Sequence, residues 1–119
     1  MLERGLVLVT NTTPLIAITA ATGNLAVLQF LYSRVVVPLE VAEEVRAGGQ
    51  QSFGVDAFNG AEWLEVQSEP VTLQPFLQNS LDRGEASVIQ TAMNLGLPLV
   101  CIDEPAGRRV ARLCGLSLT

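Results

Sequence analysis

"LDRGEASVIQTAMNLGLPLVCIDEP", residues 81–105, decides the architecture. Asp82-Arg83-Gly84-Glu85 has the form of a capping box, and Gly96 with Pro98 forms a stop, so the pattern predicts a helix over 81–95. Residues 99–102 are a short apolar run suited to a buried strand. Pro105 then opens a further helix over 106–114, ended by Gly115. A strand that is apolar along its whole length and carries a helix on either side belongs to a sheet covered on both faces.

Outward from this segment the same alternation recurs. Residues 6–10 read as a buried strand, and Thr13 followed by Pro14 reads as an N-cap with proline at the first helical position. The helix starting at Pro14 is expected to break near Gly23-Asn24 and restart over 25–31. Residues 34–37 form a second β-branched run closed by Pro38, and 39–46 a helix ended by Gly48-Gly49. Residues 50–62 are polar with a short helical stretch at 55–59, 63–66 suit a short strand, and 70–78 read as a connecting segment. Residues 116–119 begin a strand and stop. The order predicts an α/β fold with a central, mainly parallel sheet flanked by helices. Ligands of such folds collect at the carboxyl ends of the strands, here Asn11, Pro38 and Asp103.

The length of 119 residues predicts a single domain over 1–119, and 49% apolar residues with a mean hydropathy of +0.38 predict a rich core. No apolar run approaches the roughly 18 residues of a membrane span. Glu3 and Arg4 lead straight into the first strand, so no secretory leader is read and a cytoplasmic location is expected. Cys101 and Cys114 are expected to be reduced core thiols. The absence of histidine excludes Ser-His-Asp and Cys-His catalysis and His-ligated zinc, which leaves chemistry to carboxylates. A net charge of −5 argues against a broad basic nucleic-acid surface. All seven cations are arginine, however, and Arg108, Arg109 and Arg112 cluster as phosphate-recognising groups would.

Among the acids, Glu85 is the most telling. As a capping-box residue it would reach back to the N-cap amide. Yet on a helical wheel it falls in the middle of the arc formed by Leu95, Val88, Ala92, Ile89, Met93 and Ala86, where a carboxylate must be paired, protonated or metal-bound. Asp103 follows the third apolar run, with an N-cap as its plain alternative. Glu40, Glu43 and Glu44 read as a solvated helix face, since Leu39, Ala42 and Val45 can supply the core contact. Together these acids, from separated segments at one sheet edge, suit a hard cation such as Mg2+ or Mn2+.

At these residues the sequence resembles the PIN-domain family, in particular the VapC-type toxin ribonucleases and their small prokaryotic relatives. Val9-Thr10-Asn11-Thr12-Thr13-Pro14-Leu15-Ile16 is similar to the family's opening motif. Val37-Pro38 with Val41-Ala42-Glu43-Glu44-Val45 resembles its second segment, with Glu44 as the matching acid. Leu81 to Ala86 resembles the third, and Ile102-Asp103-Glu104 with Arg108-Arg109-Val110-Ala111 the fourth. The resemblance implies a Mg2+- or Mn2+-dependent endoribonuclease, the toxin of a toxin–antitoxin pair. Its implied metal and catalytic residues are Asn11, Glu44, Glu85 and Asp103, with Thr13, Arg108, Arg109 and Arg112 on the substrate. Implied partners are RNA, a cognate antitoxin protein and a second copy of the chain as a homodimer, with no membrane.

Two departures stand against the family pattern. Asn11 occupies the place of the usual aspartate, which implies weaker metal binding and leaves open a catalytically weak or inactive nucleic-acid-binding or regulatory module. The family pattern also continues beyond residues 116–119, so the domain is expected to lack its last strand and helix and to expose a sheet edge. A response-regulator-like α/β domain also gathers acids at strand ends. It fits less well, because the chain has no acidic pair after the first strand and no lysine.

Overall fold

The computed structural model describes residues 6–48 and 52–119. Glu3, Arg4 and Gly49, which figure in the leader and helix-stop readings, lie outside them.

Five strands, β1 Val7–Thr10, β2 Arg34–Val37, β3 Glu65–Val66, β4 Leu99–Cys101 and β5 Ser117–Leu118, form one sheet in the order β3-β2-β1-β4-β5. Every pairing is parallel. The chain starts in the centre, builds one side through β2 and β3, then returns to the other side of β1 for β4 and β5. Register sets Leu8 between Val35 and Leu99, and Val9 between Val36 and Val100. Val9, Val36, Val37 and Val100 are wholly buried, which is why these strands carry no polar alternation. Arg34 and Glu65 tie the exposed start of β2 to β3 by paired bonds of 2.7 and 2.8 Å.

The helices are α1 Thr12–Thr22, α2 Ala26–Leu31, α3 Leu39–Arg46, α4 Ser52–Gly60, α5 Pro75–Ser80, α6 Arg83–Leu95 and α7 Pro105–Leu113. Helix α1 differs from expectation at its start: the N-cap is Asn11, not Thr13, and Pro14 sits at the third helical position. Proline is tolerated there because that N–H has no intrahelical acceptor in any case. Asn11 stays extended because its N–H still donates to Cys101 O, at 3.1 Å, in the ladder with β4. The segment predicted as a connection over 70–78 holds α5. Pro75 occupies the first turn of that helix and Leu77 is fully buried, so a single apolar anchor suffices where no periodicity is visible. Helix α4 extends beyond the predicted 55–59.

Glycine closes two helices as predicted: Gly23 at φ 89° and Gly96 at φ 67° adopt the left-handed conformation that other residues resist. Leu95, placed on the buried arc from sequence, is 47% exposed at the end of α6, whereas Val88, Ile89 and Ala92 are buried. Cys101 and Cys114 are free and half-buried. Among the described residues, no helix is long and apolar enough to cross a membrane.

Candidate active site

The order β3-β2-β1-β4-β5 reverses direction between β1 and β4, and the carboxyl ends of these two strands deliver Asn11 and, through Ile102, Asp103. Such a switch point opens a crevice that neighbouring loops can line. Asn11 is 6% exposed, so its amide is committed to this crevice and not to solvent.

Helix α3 brings Glu44 to Asn11. Thr12 Oγ donates to Glu44 Oε1 at 2.6 Å, joining the start of α1 to α3. Helix α6 completes the approach with Gly84: a Cβ built there would stand 2.9 Å from Glu44 Oε1 and 3.3 Å from Asn11 Oδ1. Only glycine leaves room for these two oxygens to face the first turn of α6. Gly84→Ala is therefore expected to push Glu44 off Thr12. Gly84 is buried, but the atom it would crowd hardest is the far end of the exposed Glu44 side chain, so stability should change by only about 1 kcal/mol. Divalent-cation binding should weaken markedly. Calorimetric titration with Mn2+ beside a thermal melt separates the two effects, and unaltered cation binding would refute the crowding argument.

Glu85 follows Gly84 and is 4% exposed. Only half of the predicted capping box forms: Asp82 accepts the Glu85 N–H at 2.9 Å, whereas Glu85 Oε2 is buried with no partner among the described residues. The carboxylate instead faces α7, where a Cβ on Gly107 would stand 3.3 Å from Glu85 Cδ and 3.4 Å from its Oε1. Burial pushes the Glu85 carboxyl up to about 7, and the surrounding charges of Asp82, Glu104, Asp103 and Glu44 push it the same way. Four further acids therefore lie within electrical reach of one buried carboxylate.

Asp103 is exposed, and the residue capping α7 is Glu104, not Asp103. Arg108 Nη1 donates to Ile102 O at 2.9 Å and so fixes the corner from which Asp103 projects. Arg109 and Arg112 are exposed on α7, and neither has an ion-pair partner among the described residues. Thr13 is exposed and makes no side-chain bond among the described residues; the adjacent Thr12 does the work at Glu44. Thr12, Gly84 and Gly107 escaped the sequence reading, because what marks them is a neighbour distant in the chain.

Glu40 corrects the solvated-face reading of α3. It is 4% exposed, and its Oε2 accepts the Val71 N–H at 2.8 Å, while Glu43 and Glu44 are exposed as expected. Helix α3 packs against α1, α4 and α6. With the strand-to-helix loop also laid over it, α3 is covered on more sides than its apolar stripe implies.

Among the described residues, no three acidic or sulfur side chains stand close enough together to cage an ion as they are placed. The side chains that close on the two glycines offer oxygens alone: Glu44 Oε1, Asn11 Oδ1 and Asp82 Oδ1 at Gly84, and Glu85 Oε1 at Gly107, with Glu85 Oε2 buried and unpartnered among the described residues. That donor chemistry, with an orphaned buried carboxylate oxygen and two glycine-walled approaches, fits a hard divalent cation and no softer metal.

A family profile described as PIN domain matches residues 7–119. No curated protein matches the chain.

Proposed function

Because the chain belongs to the PIN-domain family, a nuclease-type fold, we propose that it is a Mg2+- or Mn2+-dependent endoribonuclease and the toxin of a toxin–antitoxin pair. The observation that supports this reading best is the buried, unpartnered Glu85 oxygen among acids at the switch point of the sheet. Glu44, Glu85 and Asp103 would hold the cation, with the Asn11 amide oxygen as a neutral fourth donor. The bound cation would supply positive charge at the phosphoryl oxygens and a deprotonated water near neutral pH.

The chain's own residues set the conditions for that step. Thr12 orients Glu44 by its 2.6 Å bond. Burial, with the neighbouring acids, pushes the Glu85 carboxyl up to about 7, so it would share its time between the protonated and charged forms near neutrality and would hold a cation in the charged one. Arg109 and Arg112 would take phosphates of the RNA on the exposed face of α7, while Arg108 holds the Ile102 corner. The toxin assignment, and with it the antitoxin partner, rests on the likeness of the four motifs to VapC-type chains.

The test is cleavage of single-stranded RNA with Mn2+ or Mg2+, beside Asp103→Asn as control. The native chain should cleave, and the variant should lose about tenfold or more. A folded protein without metal-dependent cleavage at micromolar concentration would count decisively against the enzyme. Asn11 favours a second reading, a PIN-domain module that binds RNA and does not cut it, and that result would support this alternative.

A further inference from the structure

The first turn of α6 holds an acid that the donors named above do not include. Three side-chain oxygens surround the bare face of Gly84: measured from the place of a Cβ, Glu44 Oε1 lies at 2.9 Å, Asn11 Oδ1 at 3.3 Å and Asp82 Oδ1 at 3.6 Å. They come from helix α3, from the end of β1 and from the cap of α6. All three are acceptors, so none satisfies another. Asn11 is 6% exposed, and its side chain makes no hydrogen bond among the described residues, not even the helix cap that asparagine commonly forms. A buried amide oxygen aimed among other acceptors calls for positive charge between them.

The charges around this cradle lead to the same requirement. Neither Asp82 nor Glu44 has an ion-pair partner among the described residues. Arg83, although it stands between Asp82 and Gly84 in the chain, bonds Glu43 at 3.2 Å instead. The hollow of about 450 Å³ beside Gly84 is bordered by Glu40, Glu43, Glu44 and Asp82 against that single arginine, so a hydrated cation has a path to both carboxylates.

The plain role of Asp82 is to cap α6, because its Oδ1 accepts the Glu85 N–H at 2.9 Å. That bond uses one of about four acceptor sites of a carboxylate, and a neutral asparagine or serine would serve it as well. A negative cap gains from the helix dipole, but here the unpaired Glu44 carboxylate on the same face of Gly84 opposes that gain. Capping therefore accounts for an oxygen at this position more readily than for a charge.

We propose that Asp82 is a further ligand of the divalent cation, and that it supplies the negative charge which the neutral amide of Asn11 withholds from the same cradle. The inference rests on the cation reading above. Burial fixes Asn11, whereas Glu44 and Asp82 are exposed, so the two carboxylates close on an ion that the amide locates. Charge is in this way moved from the buried strand end to the open helix cap, where carrying it without metal costs less.

The test is calorimetric titration with Mn2+, read beside thermal melts in chelator. Asp82→Asn keeps an acceptor for the Glu85 N–H, so its melting temperature should not fall, yet its Mn2+ affinity should drop about tenfold or more. Asp82→Ala should show the same loss of affinity together with a lower melting temperature, because it removes the cap as well. Moving the charge back, with Asn11→Asp and Asp82→Asn combined, should restore most of the lost affinity. The deficit of Asp82→Asn should persist in about 1 M KCl, where the screening length is about 3 Å and a ligand in contact keeps its effect. Native affinity in Asp82→Asn, or a deficit that vanishes at high salt, overturns the inference and leaves the cation reading standing. Absence of Mn2+ binding by the native chain overturns both.

Discussion

Glu85→Gln is expected to stabilise the metal-free protein at about pH 8, by up to about 3 kcal/mol, while removing its response to divalent cations. The carboxyl titrates at about 7 in the folded chain, against an ordinary value of 4.5. Between those values the folded state binds more protons at this site than the unfolded state does. Stability contributed by the proton is therefore complete below about pH 4.5 and lost as pH rises through about 7. Above that range, folding must force a bare carboxylate into a crevice already facing Asp82, Glu104, Asp103 and Glu44. Glutamine carries no such charge, so its stability should not fall across that window through this site. Urea denaturation in chelator at several pH values measures the difference between the two proteins. Parallel stability curves would mean that Glu85 is not held in its protonated form.

The same variant tests what the charge is for. A cation that binds the folded chain alone stabilises it by about 2.7 kcal/mol at one hundred times its dissociation constant. Native protein should gain this with Mn2+, more at high pH than at low, because there the metal displaces no proton from Glu85. Glu85→Gln should gain little, and an equal gain in both proteins would place the cation elsewhere.

Glu85 also shows how far the sequence could be read. Its position on the apolar arc of α6 sufficed to predict burial, because Val88, Ile89 and Ala92 flank it on one helix and periodicity reports on single helices. The three longer strands, β1, β2 and β4, follow for a similar reason: short runs that are apolar along nearly their whole length suit a doubly covered parallel sheet. The burial of Glu40 is not legible in α3 because its cover comes from Val71, thirty-one residues away, and no wheel drawn on α3 contains that loop. Thr12 and Thr13 are indistinguishable as hydroxyls beside a helix start. The ladder bond from Asn11 N–H to Cys101 O sets where the helix begins and so which threonine meets Glu44. Helix α5 has too few turns for a period to emerge, and its one deep anchor, Leu77, is invisible without the partners it packs against.

Asn11→Asp should act in opposite directions on the metal-free and metal-bound protein. Asn11 Oδ1 and Glu44 Oε1 already crowd the same face of Gly84, and Asn11 is 6% exposed. A carboxylate in its place adds like charge to a buried acidic cluster with no cation from Arg83, which bonds Glu43 instead, or from Arg108, which bonds Ile102 O. Without metal the variant should be less stable at neutral pH, by about 1–3 kcal/mol, and Glu85 should hold its proton more tightly. With Mn2+ the added charge becomes an additional ligand, so affinity should rise by about 10–100-fold, and RNA cleavage with it. The amide of the native chain then represents a compromise: it gives up cation affinity and thereby spares the empty crevice one more buried charge. Calorimetric titration with Mn2+ and chelator-phase denaturation on the same preparations supply both numbers. A variant that loses stability without gaining affinity would show that Asn11 adjoins the acids but does not face the cation.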